Sequence, residues 1–171
     1  MSQSSEHIER QWYPLYTRSR FEKKAYENLR RAGMEAFLPL RTTVRRWSDR
    51  KKKVEMPLIP SYIFAKLTRA ELYQALDITG ISRYICFNGR PATVRESEIS
   101  AMMTALRENA EIEVREGTIE RGAEVKFTSG IFSGYEGRVI DSSGKSKLVI
   151  ELESIGKTML VTVDRDQLRT S

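Results

Sequence analysis

Apolar residues recur at both strand and helix spacing over the first two thirds of this chain, and at strand spacing alone from Thr118 onward. Residues 12–17 read as a strand, although Pro14 offers no ladder donor and moves it toward an edge or a bulge. Ser19 and Glu22 have the spacing of a capping box, and Phe21, Ala25, Leu29 and Ala32 follow at helical spacing. Arg30 and Arg31 favour the last turn of that helix, and Gly33 ends it. Residues 36–40 lead into two extended runs, 42–47 and 53–57, which Ser48-Asp49 joins as a hairpin. A third strand, 61–67, follows. Thr68 and Glu71 form a second capping box, opening a helix with Leu72, Ala75 and Leu76 that stops at Gly80. Residues 81–87 and 91–94 pair around the Asn88-Gly89 turn. Ile99, Met102, Met103 and Leu106 fall at i, i+3, i+4 and i+7, a third amphipathic helix.

The acidic stretch 111–117 then reads as a linker. Beyond it, residues 124–128, 137–141, 147–153 and 158–164 alternate apolar with polar and are separated by Gly/Ser turns. Strands this short need protected edges, so a small barrel is expected, with Phe127 and Leu148 in a thin core. The predicted fold class is α+β: an antiparallel sheet with flanking helices, then a small all-β barrel. The expected division is a flexible N-terminus at 1–11, one domain over 12–110, the linker, and a second domain over 118–171.

On the strand 61–67, Tyr62, Phe64 and Lys66 share one face while Ile63, Ala65 and Leu67 share the other. The aliphatic set suits a core. The aromatic set suits a surface that another protein covers, or one that a helix or the second domain covers within the chain.

Charge sharpens the picture. The hairpin carries Arg41, Arg45, Arg46, Arg50, Lys51, Lys52 and Lys53 against Asp49, a local net of +6. Seven cations within thirteen residues exceed what a solvated tip requires and suit phosphate contacts or an acidic protein surface. Trp47 beside them could stack on an unpaired base or simply staple the hairpin. Residues 1–110 hold 20 basic and 12 acidic residues, a net of +8, whereas 118–171 hold 8 of each. The two parts therefore suit different partners. Seven of the ten glycines lie from Gly117 onward and all five prolines before it, so backbone chemistry divides the chain at the same place.

No apolar run approaches the roughly 20 residues of a membrane span, and no signal segment opens the chain. A single cysteine, Cys86, excludes an intrachain disulfide and suits a reducing cytoplasm. In an apolar strand it reads as a core residue. No phosphate loop or Ser/His/Asp arrangement appears, so no enzymatic activity, cofactor or metal is expected.

Trp12-Tyr13-x-Leu15-Tyr16, the helix after it, Pro60-Ser61-Tyr62-Ile63-Phe64 and Gly80-Ile81 together resemble the NusG N-terminal domain. Gly122 to Val125, continuing through Gly130, Phe132, Gly134, Gly137 and Val139, resembles a KOW motif. The run from Arg46 to Glu55 resembles specialised NusG paralogues of the UpxY type, with RfaH a more distant relative.

The resemblance implies a transcription elongation and antitermination factor that sits on the clamp helices of the largest RNA polymerase subunit. It would suppress pausing and termination, in an operon-specific way typical of surface-polysaccharide genes. Carried over by position, Tyr16, Tyr62, Phe64 and Phe87 match the polymerase-binding surface. Arg18 and Lys24 match basic positions against non-template DNA, and Arg46, Trp47, Arg50, Lys51, Lys52 and Lys53 are nucleic-acid candidates toward DNA or nascent RNA. Phe132 matches a loop position that contacts a small-subunit ribosomal protein or Rho. Residues 70–77 do not reproduce the sequence-reading polar residues of RfaH. Residues 147–163 are rich in strand formers, so a stable barrel without refolding to helices is expected. A cytoplasmic monomer without membrane contact completes the expectation. The rival reading is a ribosome-associated KOW protein, which would need a basic barrel in place of the neutral one here.

Overall fold

A computed structural model describes residues 9–170. In chain order its elements are β1 (Gln11–Thr17), α1 (Glu22–Arg31), β2 (Glu35–Phe37), β3 (Leu40–Arg46), β4 (Lys51–Pro57), β5 (Tyr62–Leu67), α2 (Arg69–Ala75) and β6 (Ile81–Tyr84). They continue with β7 (Cys86–Phe87), β8 (Arg90–Pro91), α3 (Glu96–Arg107), β9 (Ile112–Glu116), β10 (Ala123–Phe127), β11 (Glu136–Ser142), β12 (Lys145–Leu152), β13 (Lys157–Val163) and β14 (Leu168–Thr170). This is the α+β arrangement that the two hydrophobic periods predict. Most of the N-terminal segment expected to fray lies outside the described residues, and Gln11 already belongs to β1.

The chain divides into two compact units. The first takes residues up to Leu38 and from Pro60 to Arg95. Its four-stranded antiparallel sheet has the order β2-β5-β1-β6. Pro14 stands in the interior strand β1, opposite Phe64, and the irregularity expected for this strand falls between Tyr16 and Thr17. Leu15, Ile63, Ala65 and Leu67 are fully buried in this sheet, as are Ala25 and Leu29 of α1 and Leu72 and Ala75 of α2. Gly80 follows a physical demand of that packing, because a Cβ there would stand 3.1 Å from the Ala25 methyl.

The two capping boxes part company. At α2 both reciprocal bonds form: Glu71 N–H donates to the Thr68 hydroxyl (3.2 Å), and Thr68 N–H donates to the Glu71 carboxylate (2.9 Å). At α1 the N-cap is Phe21, with no side-chain cap. Glu22 instead accepts from the Ser61 N–H at 3.0 Å, so a tertiary bond has taken the carboxylate that the box required.

The second unit takes Pro39–Ile59 and residues from Glu96 onward. Its six-stranded antiparallel sheet runs β14-β10-β11-β12-β13-β9, and β3 and β4 form a separate two-stranded ribbon. Phe127, Leu148, Ile150 and Met159 fill its interior. Helix α3 lies against β12 and buries Ile99 and Met102. Met103, expected on that apolar face, is left exposed.

The acidic linker expected at 111–117 is a strand. β9 pairs with β13, Glu116 opposite Lys157 and Glu113 opposite Leu160. Its carboxylates are held by cations: Glu111 by Lys145 (2.8 Å), Glu113 by Lys147 (3.0 Å) and Arg115 (2.6 Å). A charge run that looked like solvated spacer is one side of a cross-strand ion-pair ladder. With β9 in the sheet and α3 on β12, residues 39–59 and 96–110 group with 118–170, so the compact units divide elsewhere than at the expected boundary.

Candidate functional site

The aromatic face of the first unit is set by register. Across β1 and β5, Tyr16 stands opposite Tyr62, Pro14 opposite Phe64 and Trp12 opposite Lys66. On the far side of β5, Phe37 stands opposite Phe64, and on the far side of β1, Arg83 stands opposite Tyr16. All these side chains therefore share one face.

That face is not uniformly open. Tyr16 and Tyr62 are half-buried and meet edge-to-face, with centroids 5.4 Å apart and planes at 80°. The Arg83 guanidinium lies over the Tyr16 ring at 5.0 Å, a cation–π contact. This tyrosine–tyrosine–arginine edge presents apolar rings, two hydroxyls and one cation to the outside.

Phe64 corrects the sequence expectation. It is fully buried, at 0% exposure. Pro14 and Phe37 flank it on the two neighbouring strands, and the Phe37 ring stacks on it at 6.2 Å. Side-chain alternation assigned the face correctly, but the middle of a sheet is covered where its end is not. Phe87 is 49% exposed on the short β7–β8 hairpin. Neighbouring Cys86 is exposed too, contrary to the core position expected for it. Arg18 and Lys24 are both exposed, Arg18 beside β1 and Lys24 on α1.

The basic ribbon forms as the hairpin predicts. Arg46 pairs with Lys51, Arg45 with Lys52 and Val44 with Lys53, and Trp47 N–H closes the turn on the Arg50 carbonyl at 2.7 Å. Trp47 and Val44 are each 60% exposed. Trp47 thus does not staple the hairpin by burial. At the root, Leu58 N–H donates to the Pro39 carbonyl (2.8 Å), and Leu58 and Ile59 are buried.

Phe132 is the second correction. The sequence places it at an exposed loop tip, yet it is 4% exposed. The Gly130–Tyr135 loop curls tightly, with Ser133 N–H donating to Gly130 and Tyr135 N–H to Phe132. This turns Phe132 onto Phe127 (5.5 Å) and Tyr135 (6.3 Å). Ile131, beside it, is 45% exposed and takes the outward position. The glycines of this segment also divide by cause. Gly130 and Gly134 have positive φ, whereas at Gly137 a Cβ would meet the Tyr135 ring at 2.7 Å.

Sequence reasoning missed Arg83, Phe37 and Ile131. Arg83 and Phe37 enter the face only through strand pairing that no local pattern encodes. Ile131 had a usable signal, since a lone aliphatic among Gly and Ser in a tight loop has little to pack on.

The titratable groups that stand out belong to the second unit. Arg115 and Lys147 hold the Glu113 carboxyl down to about 2. Lys145 lowers that of Glu111, and Arg165 with Ser146 lowers that of Asp141. These are structural ion pairs. Among the described residues no group of three His, Cys, Asp or Glu could hold a metal ion, and no helix is long and apolar enough to cross a membrane.

Known proteins give this geometry its context. Residues 10–103 match the family described as "Transcription termination factor nusG". The protein named "Transcription termination/antitermination protein NusG" from Rickettsia felis is 29% identical, over 97% of this chain and 93% of its own length. Its namesake from Streptococcus pyogenes serotype M1 is 24% identical, over 82% of this chain and 86% of its own. The solved structure titled "Domain interaction in Thermotoga maritima NusG" is similar in fold, with a TM-score of 0.51 at 20% identity, covering 95% of this chain and 98% of that one. The class is thereby defined as a transcription termination/antitermination factor. Within it, the chain belongs to the NusG family.

Proposed function

We propose that this chain is an antitermination factor that rides on transcribing RNA polymerase in the cytoplasm, on a restricted set of operons such as surface-polysaccharide clusters. The family match over residues 10–103 supports reading 12–110 as the polymerase-binding domain, and 118–171 is read as the KOW domain on its glycine pattern. The observation that carries the reading is the Tyr16–Tyr62 edge capped by Arg83, an aromatic surface outside the core in a chain of this family. Half-exposed tyrosines and an arginine are the residue types that anchor protein interfaces. They would seat the clamp helices of the largest subunit, with Phe87 as a further contact. Phe64, buried beside Tyr62 on the same face, then does not touch the partner.

Arg18, Lys24 and the ribbon residues Arg46, Trp47, Arg50, Lys51, Lys52 and Lys53 would meet nucleic acid near the polymerase. Their exposure and uniform sign suit phosphate contacts. The KOW domain would recruit a small-subunit ribosomal protein or Rho through the loop that presents Ile131 over buried Phe132.

Site-specific crosslinking tests the reading. A photoreactive phenylalanine analogue at position 62 in the full chain should capture the largest polymerase subunit, and one placed at exposed Tyr73 of α2 should not. Equal capture from both positions, or none from either, would overturn it.

A further inference from the structure

Among the described residues, the ribbon of β3 and β4 pairs with no third strand. Strand alternation sorts its cations between its two faces. Arg45 and Lys52 are cross-strand partners, as are Arg46 and Lys51, and these successive pairs point to opposite sides. Lys53, opposite Val44, falls on the Arg46 side. Beyond them, the bond from Trp47 N–H to the Arg50 carbonyl extends the ladder to the turn, placing those two residues at the tip. Arg45, Arg46, Arg50, Lys51, Lys52 and Lys53 are all exposed.

The distribution constrains the ligand. An acidic protein surface, or one strand of nucleic acid laid along the ribbon, would meet one face and leave a row of like charge on the other. A ligand that sets phosphates on both sides at once meets both rows. The major groove of B-form DNA does so: it is about 12 Å wide, it admits a two-stranded ribbon, and its walls are two phosphate backbones. An exposed tip carrying Trp47 and Arg50 then faces the groove floor, where a guanidinium finds guanine acceptors.

From this we infer that the ribbon enters the major groove of duplex DNA tip first, with its two faces toward the two walls. Arg45 and Lys52 take one phosphate wall, and Arg46, Lys51 and Lys53 take the other. The inference rests on the proposed reading of the ribbon as a nucleic-acid contact, names duplex DNA as that ligand, and is independent of the polymerase-facing edge.

The test uses the full chain and fluorescent nucleic acids of one sequence: a DNA duplex, its single strand, and the corresponding RNA duplex. Anisotropy titrations are run from about 50 to 200 mM salt, over which the five phosphate contacts should cost roughly 500-fold in affinity for the DNA duplex. Duplex DNA should bind tightest. The exposed double variants R45Q/K52Q and R46Q/K51Q should each flatten the log–log salt slope by about 1.8, with unchanged melting temperatures. A slope change confined to one variant would overturn the inference. So would single-stranded DNA or duplex RNA binding as tightly, or duplex DNA failing to bind at the lowest salt. The wild-type ligand preference decides even if a variant misfolds. Crosslinking at position 62 is read separately, so loss of the groove contact and loss of the polymerase reading are distinguishable.

Discussion

Phe64 and Tyr62 stand two residues apart on one face of one strand, and their surroundings differ completely. Tyr62 faces Tyr16 at an open edge, whereas Phe64 sits between Pro14 and Phe37 with no exposed surface. Alternation along a strand gives the face, but not how far each position on that face is covered, which only the fold reveals. Phe64→Ala is therefore expected to cost about 3–5 kcal/mol of stability, read by urea denaturation. A loss below about 1 kcal/mol would mean the ring is not the core residue the geometry makes it. The same reasoning applies to the Gly130–Tyr135 loop. Phe132→Ala should destabilise the second unit measurably in thermal melts, because it breaks the cluster with Phe127 and Tyr135. Ile131→Ser should stay within about 0.5 kcal/mol, as surface substitutions do. Comparable effects would put both side chains in one environment.

At the scale of elements, helices and strands with strong local signals were legible in the sequence: α1, α3, the ribbon and, in the second unit, β10 to β13. The capping box at α2 was legible because both partners lie within the same turn. The one at α1 was not, because Ser61, thirty-nine positions away, competes for Glu22. Residues 111–117 were misread for a related reason. Three glutamates look solvated until Lys145, Lys147 and Lys157 are brought alongside by β12 and β13.

That ladder has a pH signature. Glu113 titrates near 2 in the folded chain, below its ordinary value of 4.5, because its charged form is held by Arg115 and Lys147. A depressed folded value means the stabilisation is fully present above about pH 4.5 and is lost as pH falls toward 2. Glu113→Gln should thus lower the melting temperature by a constant amount above pH 5, with the gap to wild type closing between about pH 4.5 and 2. A gap that persists unchanged at the acid end would show that the charge is not its source.

For the whole molecule, the basic bias of residues 1–110 and the neutrality of 118–171 survive as physical facts, although the compact units regroup the ribbon and α3 with the β-rich part. Sequence composition tracks chain order, while compactness tracks pairing, and β9 on β13 joins the segments that composition separates. The proposed polymerase contact differs from the one the sequence suggested: two tyrosines and Arg83, with Phe87 as a further contact and Phe64 buried beside them. The most direct measurement is the affinity of purified core RNA polymerase for wild type and for Tyr16→Ala/Tyr62→Ala, with melting curves in parallel. The account expects at least a tenfold loss of binding, about 1.4 kcal/mol, with the fold retained. Undiminished polymerase binding by a folded double variant would contradict it.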